Sequence, residues 1–325
     1  RTGSVGSGTE TATDIAVDTA GNYYVTGYYT AAVTFGSFAL TNSGQTDIFV
    51  VKYNPSGTVL WAQKYGDTQA QAASSIAVDT AGNCYVGGYT SDSGFYSYFF
   101  YAKYNASGIV QWTKLDRFQG SSISANKLKS ISVDNFGNMY MTGSYSVSNS
   151  IRAVILKCDP SGNKVWEKTR TEVSEGNDIV TDGVGNSYVT GNLYSSTTNY
   201  DIFTSKYDAS GRVVWSKTAG GPDKDYGDGI AIDANENCYI SGRFQSNATF
   251  GPIAIENLNS GVSDIFIAKY DNLGDIVWVQ QAGESGEDAA SKISLDAAGN
   301  CYINGYYTTS ATFGNTVLDG LTRQP

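Results

Sequence analysis

The chain has 325 residues, of which 41% are hydrophobic and 16% are charged, and its formal net charge is -10. This composition excludes a disordered or collagen-like chain, and the acidic balance disfavours DNA, RNA and anionic membranes as partners. The absence of histidine excludes Ser-His-Asp and Cys-His catalysis as well as His-containing zinc sites. No stretch reaches about 18 consecutive apolar residues, so we expect no direct insertion into a membrane.

A segment of the form I-x-V-D-x-x-G-N-x-Y-V-x-G recurs along the whole chain. Its aspartate stands at Asp18, Asp79, Asp134, Asp182, Asp233 and Asp296. The apolar run before the aspartate and the aromatic run after it predict two strands, A and B, joined by a tight turn. Glu236 replaces the glycine that closes the other turns, so that turn should be strained or built differently. We interpret the repeated aspartate as a structural turn cap, because the spacing lacks the alternating ligands of an EF-hand loop.

A second segment, K-Y-N-x-S-G-x-V-x-W, alternates with the first and predicts a hairpin of strands C and D. Strand C begins with runs such as the one at Asp47, and strand D ends near the tryptophan. The tryptophans are Trp61, Trp112, Trp166, Trp215 and Trp278. The repeated lysine of this segment is read as structural, either packed along its stem or paired with a carboxylate. The mean spacing of about 56 residues is typical of a four-stranded propeller blade.

These hairpins predict an all-β fold, a β-propeller of four-stranded antiparallel blades, and a solenoid is the structural alternative. Six A-B hairpins and five C-D hairpins favour six blades with the last one incomplete, and the alternative is part of a seven-bladed ring. We expect a single β-propeller domain over residues 1–325. Its repeat units are approximately 1–61, 62–112, 113–166, 167–215, 216–278 and 279–325.

The two alternating motifs together closely resemble the bacterial seven-bladed β-propeller repeat (SBBP repeat) family. The resemblance covers nearly the whole chain, and it implies a secreted or cell-surface bacterial protein in which the propeller is often one module. It implies no common enzymatic activity and no catalytic residues. Since the sequence starts at Arg1, we expect either a mature product after signal removal or a fragment.

The B-C and D-A connections carry almost all of the sequence variation and should share one face, which is the candidate binding face. Thr-Phe-Gly in three longer B-C connections, at Phe35, Phe250 and Phe313, is read as a packing anchor. Tyrosines expected in the variable loops are candidates because they provide rigid amphipathic contact area. They are Tyr28, Tyr29, Tyr96, Tyr98, Tyr194, Tyr200, Tyr226, Tyr306 and Tyr307.

Three acidic residues stand eight positions before the repeated aspartate, in D-A connections that should approach the central channel. They are Glu10, Asp225 and Asp288. We carry them as ligand-binding candidates and as weak candidates for a Ca²⁺ site, beside the simpler interpretation of solvated loop charges.

The four cysteines predict no disulfide. Cys84, Cys238 and Cys301 occupy one strand-B position in different blades, beyond the roughly 7 Å Cα distance that a disulfide allows, and Cys158 lies in a strand C. We expect four buried free thiols.

Three functions are open at this point. The first is a non-catalytic binding or scaffold module, secreted or at the cell surface, that needs no cofactor and presents the variable loops to a protein, a glycan or further domains of its own chain. The second is a subunit of a larger extracellular assembly, joined by strand pairing at the open seam. The third is a carboxylate-based glycan hydrolase or lyase, which paired acids with one shifted pKa would favour.

Overall fold

The computed structural model describes residues 3–4, 8–92, 96–118, 126–147, 150–196, 199–257 and 261–319. The chain divides into two compact units, Arg1–Arg170 with Gly183–Gly185, and Thr171–Asp182 with Asn186–Pro325. All regular structure in the described residues is β-strand, and these residues include no helix that is long and apolar enough to cross a membrane.

The first unit contains three four-stranded antiparallel sheets. The strands of the first sheet and its added hairpin are β1 (Gly3–Ser4), β2 (Glu10–Val17), β3 (Tyr23–Tyr29), β4 (Val33–Phe35), β5 (Phe38–Leu40), β6 (Asp47–Tyr53) and β7 (Val59–Tyr65). The second sheet has β8 (Gln71–Val78), β9 (Cys84–Ser91), β10 (Ser97–Tyr104) and β11 (Val110–Asp116). The third has β12 (Lys127–Val133), β13 (Met139–Val147), β14 (Ser150–Cys158) and β15 (Lys164–Thr169).

The second unit continues the repeat with two four-stranded sheets and one two-stranded hairpin among the described residues. The first sheet has β16 (Ser174–Thr181), β17 (Ser187–Ser195), β18 (Asn199–Tyr207) and β19 (Val213–Ala219). The next has β20 (Asp225–Ile232), β21 (Cys238–Gln245), β24 (Ser263–Tyr270) and β25 (Ile276–Ala282), with β22 (Ala248–Phe250) and β23 (Ile253–Ile255) inserted. The last strands are β26 (Ala289–Leu295), β27 (Cys301–Tyr306), β28 (Ser310–Phe313) and β29 (Thr316–Asp319).

Each four-stranded sheet follows the order A-B-C-D, and a β-bulge interrupts every strand A, as between Ala12 and Asp14. Strand D runs past the tryptophan that the sequence predicted as its end: β7 continues from Trp61 to Tyr65. The proposed repeat boundaries therefore fall inside strand D.

The repeated aspartate closes its turn by side-chain hydrogen bonds. Asp18 Oδ1 accepts the amides of Ala20 and Asn22 at 3.0 and 2.9 Å, and Oδ2 accepts Asn22 Nδ2 at 2.8 Å. Lys52 lies 3.7 Å from the same carboxylate, with its Nζ 4.7 Å from the ring centre of Tyr24. Both residue types therefore have the structural role that the repetition predicted.

The core lies between sheets that pack face to face. In the first unit, Tyr24, Val50 and Trp61 of the first sheet pack against Ile76 and Phe100 of the second. Tyrosine hydroxyls also join neighbouring sheets by donating to the glycine carbonyl of the next A-B turn. The pairs are Tyr24 with Gly82 at 3.1 Å, Tyr85 with Gly137 at 3.3 Å and Tyr140 with Gly185 at 2.9 Å.

The turn at Glu236, the four cysteines and the Thr-Phe-Gly phenylalanines can be compared with what the sequence predicts. Glu236 has a φ of 62°, the strained left-handed turn expected there, and its carboxylate pairs with Lys206 at 2.7 Å. The four cysteines are free, but Cys301 is only half-buried, whereas the other three are buried. Phe35 and Phe250 are buried as packing anchors, each against a phenylalanine of strand C, and Phe313 is half-buried.

Candidate functional site

Polar side chains meet where strand C of one sheet begins beside the start of strand A of the next sheet. We call each such place a junction. Strand C contributes Asp47, Asp201 or Asp264, which pair in register with the end of strand B. Gln71 and Asp225 are the first residues of strand A, and Asp288 holds the same position immediately before strand β26. Strand D contributes Lys64, Thr218 or Gln281, each opposite a phenylalanine of strand C.

The lysine junction, in the first unit, consists of Asp47, Lys64 and Gln71. Asp47 is fully buried, and its Oδ2 accepts the Ser43 amide at 2.9 Å and lies 3.6 Å from Lys64 Nζ. The same ammonium donates to the Thr41 carbonyl at 2.7 Å. Gln71 is also fully buried. The only carboxylate among these three groups is thus paired with a cation.

The Asp201 junction, in the second unit, replaces the lysine with Thr218 and the glutamine with Asp225. Asp225 is fully buried, and its oxygens accept the amides of Gly221 and Gln245 at 2.7 and 3.2 Å. A Cβ on Gly220 would meet Asp225 Oδ2 at 2.6 Å and Asp201 Oδ1 at 2.7 Å, so two carboxylates face each other across this glycine. Burial raises the pKa of Asp225 to about 7, and the charges of Asp201 and Asp223 add to the rise. The two amide hydrogen bonds lower the pKa but do not outweigh the burial.

The carboxylate junction, also in the second unit, consists of Asp264, Gln281 and Asp288. Asp264 is 5% exposed and Asp288 is fully buried. The side chain of Asp264 makes no hydrogen bond or ion pair with the described residues, and its Oδ1 and that of Asp288 are buried without a partner there. Burial raises the pKa of Asp264 to about 6, helped by the charges of Asp288 and Glu284, and burial also raises the pKa of Asp288.

A cavity of about 290 Å³ opens beside Asp264. Gln281, Gly283, Glu284 and Thr312 contribute to its lining, and none of the lining residues that the structure describes is a cation. Thr312 Oγ1 donates to Glu284 Oε1 at 2.5 Å. A cavity of about 360 Å³ occupies the corresponding place beside Asp201, with Thr218 in its lining.

A second feature of the second unit is an aromatic ladder made of Tyr194, Tyr200, Tyr226 and Arg243. The ring centres of Tyr194 and Tyr200 are 5.4 Å apart, edge to face, and Tyr200 stacks on Tyr226 at 5.6 Å. The Arg243 guanidinium lies 4.3 Å from the ring centre of Tyr226 and 3.9 Å from an oxygen of Asp228. Tyr194 is 45% exposed and the others are half-buried. Three sequence candidates thus form one continuous surface.

The other candidates are scattered or buried. Tyr29 is fully buried and its hydroxyl donates to the Thr41 carbonyl at 3.0 Å, so its placement in an exposed loop is wrong. Tyr96 packs against Arg117 at 3.9 Å, and Tyr98 donates to Asp92 at 2.8 Å. The remaining candidates are surface residues outside the ladder contacts: Glu10, Tyr306 and Tyr307 are exposed and Tyr28 is half-buried.

The acidic candidates do not form the solvated rim that the sequence predicted. Asp225 and Asp288 are fully buried in two separate junctions. Strand β20 begins at Asp225, earlier than expected, and Asp288 lies immediately before β26. Among the described residues, no group of three or more acidic or cysteine side chains is placed to hold a metal ion. Asp264, Lys64 and Arg243 were not predicted as site residues, although Asp-Ile-Phe recurs at the start of strand C and marks Asp264 in the sequence.

Residues 60–96 match the family model of the SBBP beta-propeller repeat, which confirms the resemblance seen in the two motifs. An uncharacterized WD repeat-containing protein of Acanthamoeba polyphaga mimivirus is 24% identical over 92% of this chain. A regulatory protein of Caulobacter vibrioides is 26% identical over 32% of the chain. The chain spans 30% of the first relative's length and 11% of the second's.

Similar solved structures include propellers of several kinds. The WD40 repeats of RRP9 match with a TM-score of 0.47 at 9% identity, covering 94% of this chain and 90% of that one. A gluconolactonase from Xanthomonas campestris matches with a TM-score of 0.41 at 13% identity, covering 80% and 78%. The chain therefore contains a beta-propeller repeat at residues 60–96, and its described residues repeat the same four-stranded antiparallel sheet five times.

Proposed function

We propose that the protein is a non-catalytic binding module, secreted or displayed at the cell surface, that holds a protein partner on the aromatic ladder. The ladder is the observation that carries this proposal. Tyrosine and arginine are enriched where proteins bind each other, because they combine a large apolar area with directed hydrogen bonds. Tyr194, Tyr200 and Tyr226 also come from strands of two neighbouring sheets, so rigid elements hold the surface in place.

The contacts within the ladder favour a protein over a glycan. Tyr226 stacks on Tyr200 and also carries Arg243 against its ring, so much of its ring surface is used inside the molecule. A sugar would need an open ring face on which to stack, whereas a protein partner can use ring edges, hydroxyls and the guanidinium. A glycan ligand is therefore the alternative within the same binding function.

The test compares ladder variants with a matched aromatic pair elsewhere. Tyr226→Ala and Arg243→Ala each remove a ladder contact, and Tyr23→Ala removes the stacked Tyr23–Tyr53 pair, whose ring centres are 4.9 Å apart. Each variant is measured for binding to an immobilised cell-surface protein fraction and to a panel of neutral polysaccharides. We expect binding to the protein fraction to fall at least tenfold with the ladder variants and to persist in Tyr23→Ala. Binding in the polysaccharide arm alone would replace the protein with a glycan, and equal binding by all variants would refute the ladder.

Assembly through strand pairing is a second candidate, and the last hairpin favours it. Within the described residues no strand pairs with the outer edge of β27. Tyr302 on this strand is 57% exposed, although its counterparts Tyr24, Tyr140 and Tyr239 are at most 4% exposed. A free strand edge can accept a strand of another chain. Light scattering during size-exclusion chromatography tests self-assembly at a protein concentration of about 100 µM, at which weak edge pairing would be visible. A monomer at this concentration would refute self-assembly.

A carboxylate-based hydrolase is the third candidate, favoured by the facing pair of Asp201 and Asp225 with its raised pKa. Against it, both oxygens of Asp225 accept backbone amides and the side chain is fully buried, which suits a structural acid. We expect no turnover of a panel of aryl glycosides between pH 5 and 7. Turnover that Asp225→Asn abolishes would replace the binding function with an enzymatic one.

A further inference from the structure

The three junctions share one backbone arrangement but differ in charge. In the lysine junction the buried Asp47 has Lys64 beside it. In the carboxylate junction the equivalent strand positions hold Asp264 and Gln281, because Phe49 pairs with Lys64 and Phe266 pairs with Gln281 in the same register. The strand-A position changes from Gln71 to Asp288. The carboxylate junction therefore has a second carboxylate in place of the cation, as the Asp201 junction also has, but in the Asp201 junction both oxygens of Asp225 accept backbone amides.

Gln281 reproduces only half of what Lys64 does. Lys64 Nζ donates to the Thr41 carbonyl at 2.7 Å, and Gln281 Nε2 donates to the corresponding carbonyl, that of Glu256, at 3.0 Å. The lysine ammonium also approaches Asp47 Oδ2, whereas the uncharged amide of Gln281 makes no bond with Asp264. The place of the missing charge is the cavity of about 290 Å³, which both residues line.

The carboxylate that faces this cavity is unusual in having no partner. Asp264 is 5% exposed, and neither of its oxygens accepts a hydrogen bond or pairs with a cation among the described residues. Burying a carboxylate in this way costs several kcal/mol unless a counter-charge reaches it. Glu284, Glu287 and Asp288 nearby are all acidic, so they strengthen the demand for a cation.

We propose that the cavity beside Asp264 is a binding site for a primary ammonium group, the chemistry of a lysine side chain or of a free alkylamine. The ligand occupies the place that Lys64 Nζ fills in the lysine junction. Its alkyl part lies along Gln281 and Ala282, and its ammonium reaches Asp264 with Glu284 at the cavity wall. A metal ion is a poorer occupant, since no group of three or more ligands is assembled among the described residues.

The experiment measures binding of Nα-acetyl-lysine methylamide by calorimetry at pH 7.5 and constant ionic strength. Nα-acetyl-norleucine methylamide, which lacks the ammonium, is the control ligand, and propylamine and CaCl₂ are separate arms. We expect the lysine amide to bind at least tenfold more tightly than the norleucine amide. Propylamine binding as tightly as the lysine amide would identify a free amine as the natural source, and weaker propylamine binding would identify a lysine side chain.

Three variants make the test specific. Asp264→Asn preserves the shape of the side chain and should weaken binding of the lysine amide at least tenfold. Gln281→Lys supplies the ammonium from within the chain, as Lys64 does, and should abolish binding while raising the unfolding temperature. Lys64→Gln should create an additional ammonium site in the lysine junction. Gln281 is exposed, so its replacement should not disturb folding.

The proposal is overturned if the lysine and norleucine amides bind equally, if CaCl₂ binds more tightly than the lysine amide, or if binding survives in both Asp264→Asn and Gln281→Lys. The site is separate from the aromatic ladder. Binding of the lysine amide that is lost in Asp264→Asn but kept in Tyr226→Ala would show this separation, so the two proposals can fail independently.

Discussion

The lysine junction and the carboxylate junction show how one backbone arrangement supports opposite electrostatics. Both place a buried aspartate at the start of strand C, and in both the aspartate Oδ1 is buried without a partner. The lysine junction compensates the charge through Lys64, whereas the carboxylate junction adds Asp288 and Glu284 to it. The repeat therefore fixes where the buried acid lies, and one strand-D residue decides whether the acid is neutralised by the chain itself.

The largest effect is expected when the lysine junction is given the second acid of the carboxylate junction. Gln71→Glu would bury a carboxylate and remove the amide that donates to Asp67 at 2.6 Å, and it should lower the free energy of unfolding by about 3 kcal/mol at pH 8. Urea denaturation measures this. The loss should shrink as the pH falls, because the introduced carboxyl group is then protonated in the folded state. A control, Gln111→Glu on exposed strand β11, should change stability little, and equal losses at both positions would contradict the comparison.

A somewhat smaller effect is expected when the counter-charge is removed. Lys64→Gln leaves Asp47 buried without its cation and should cost about 2 kcal/mol, below the usual figure for a broken buried pair because Lys64 is 32% exposed. Lys168→Gln is the control, because Lys168 precedes the β15 position equivalent to Lys64 by one residue and so lies on the opposite face of its strand, and it should cost much less. Adding Asp47→Asn to Lys64→Gln should recover most of the loss. No recovery in this double variant would show that Lys64 stabilises through its stem and not through its charge.

The smallest effect is a gain of stability in the carboxylate junction. The pKa of Asp264 is raised to about 6 in the folded protein, so the folded state binds a proton more tightly than the unfolded state does. Its destabilising contribution is absent below the unfolded pKa of about 4, grows as the pH rises through about 6, and is complete above it. A two-unit pKa shift corresponds to roughly 3 kcal/mol, but the asparagine amide would be buried at the same place without a partner. Asp264→Asn should therefore raise stability by only about 1 kcal/mol at pH 8 and not at pH 4.

A turn cap provides the control of opposite sign for this pH experiment. Hydrogen bonds from the side chain and amide of Asn300 lower the pKa of Asp296, so its stabilising contribution is present above the unfolded pKa and is lost as the pH falls. Asp296→Asn should reduce stability at pH 8 and have no effect at low pH. Thermal unfolding of both variants across pH 2–8 measures the two slopes, that of Asp296 below about pH 4 and that of Asp264 between about pH 4 and 6, and slopes of the same sign would contradict the assignment.

The sequence predicts those features that each repeat builds locally. The hairpins, the Asp18 type of turn cap and the left-handed turn at Glu236 depend on neighbours within a few residues, so their pattern is visible in one segment. The junctions depend on three strands from two sheets, and nothing in the sequence around Asp264 shows that Gln281 and Asp288 approach it. Tyr29 and Asp225 were expected in loops because the lengths of strands A and B could not be read from turn signals alone.

The tyrosine hydroxyls that reach the next A-B turn have a consequence for how the array unfolds. Each hydroxyl couples one repeat to its immediate neighbour, as Tyr24 does with Gly82 and Tyr85 with Gly137. Coupling of this kind makes cooperativity a nearest-neighbour property, in which the fraying of one repeat weakens the next before it affects any other. Amide exchange should then show protection that changes in steps from repeat to repeat, with the boundaries of each cooperative step at these hydroxyls.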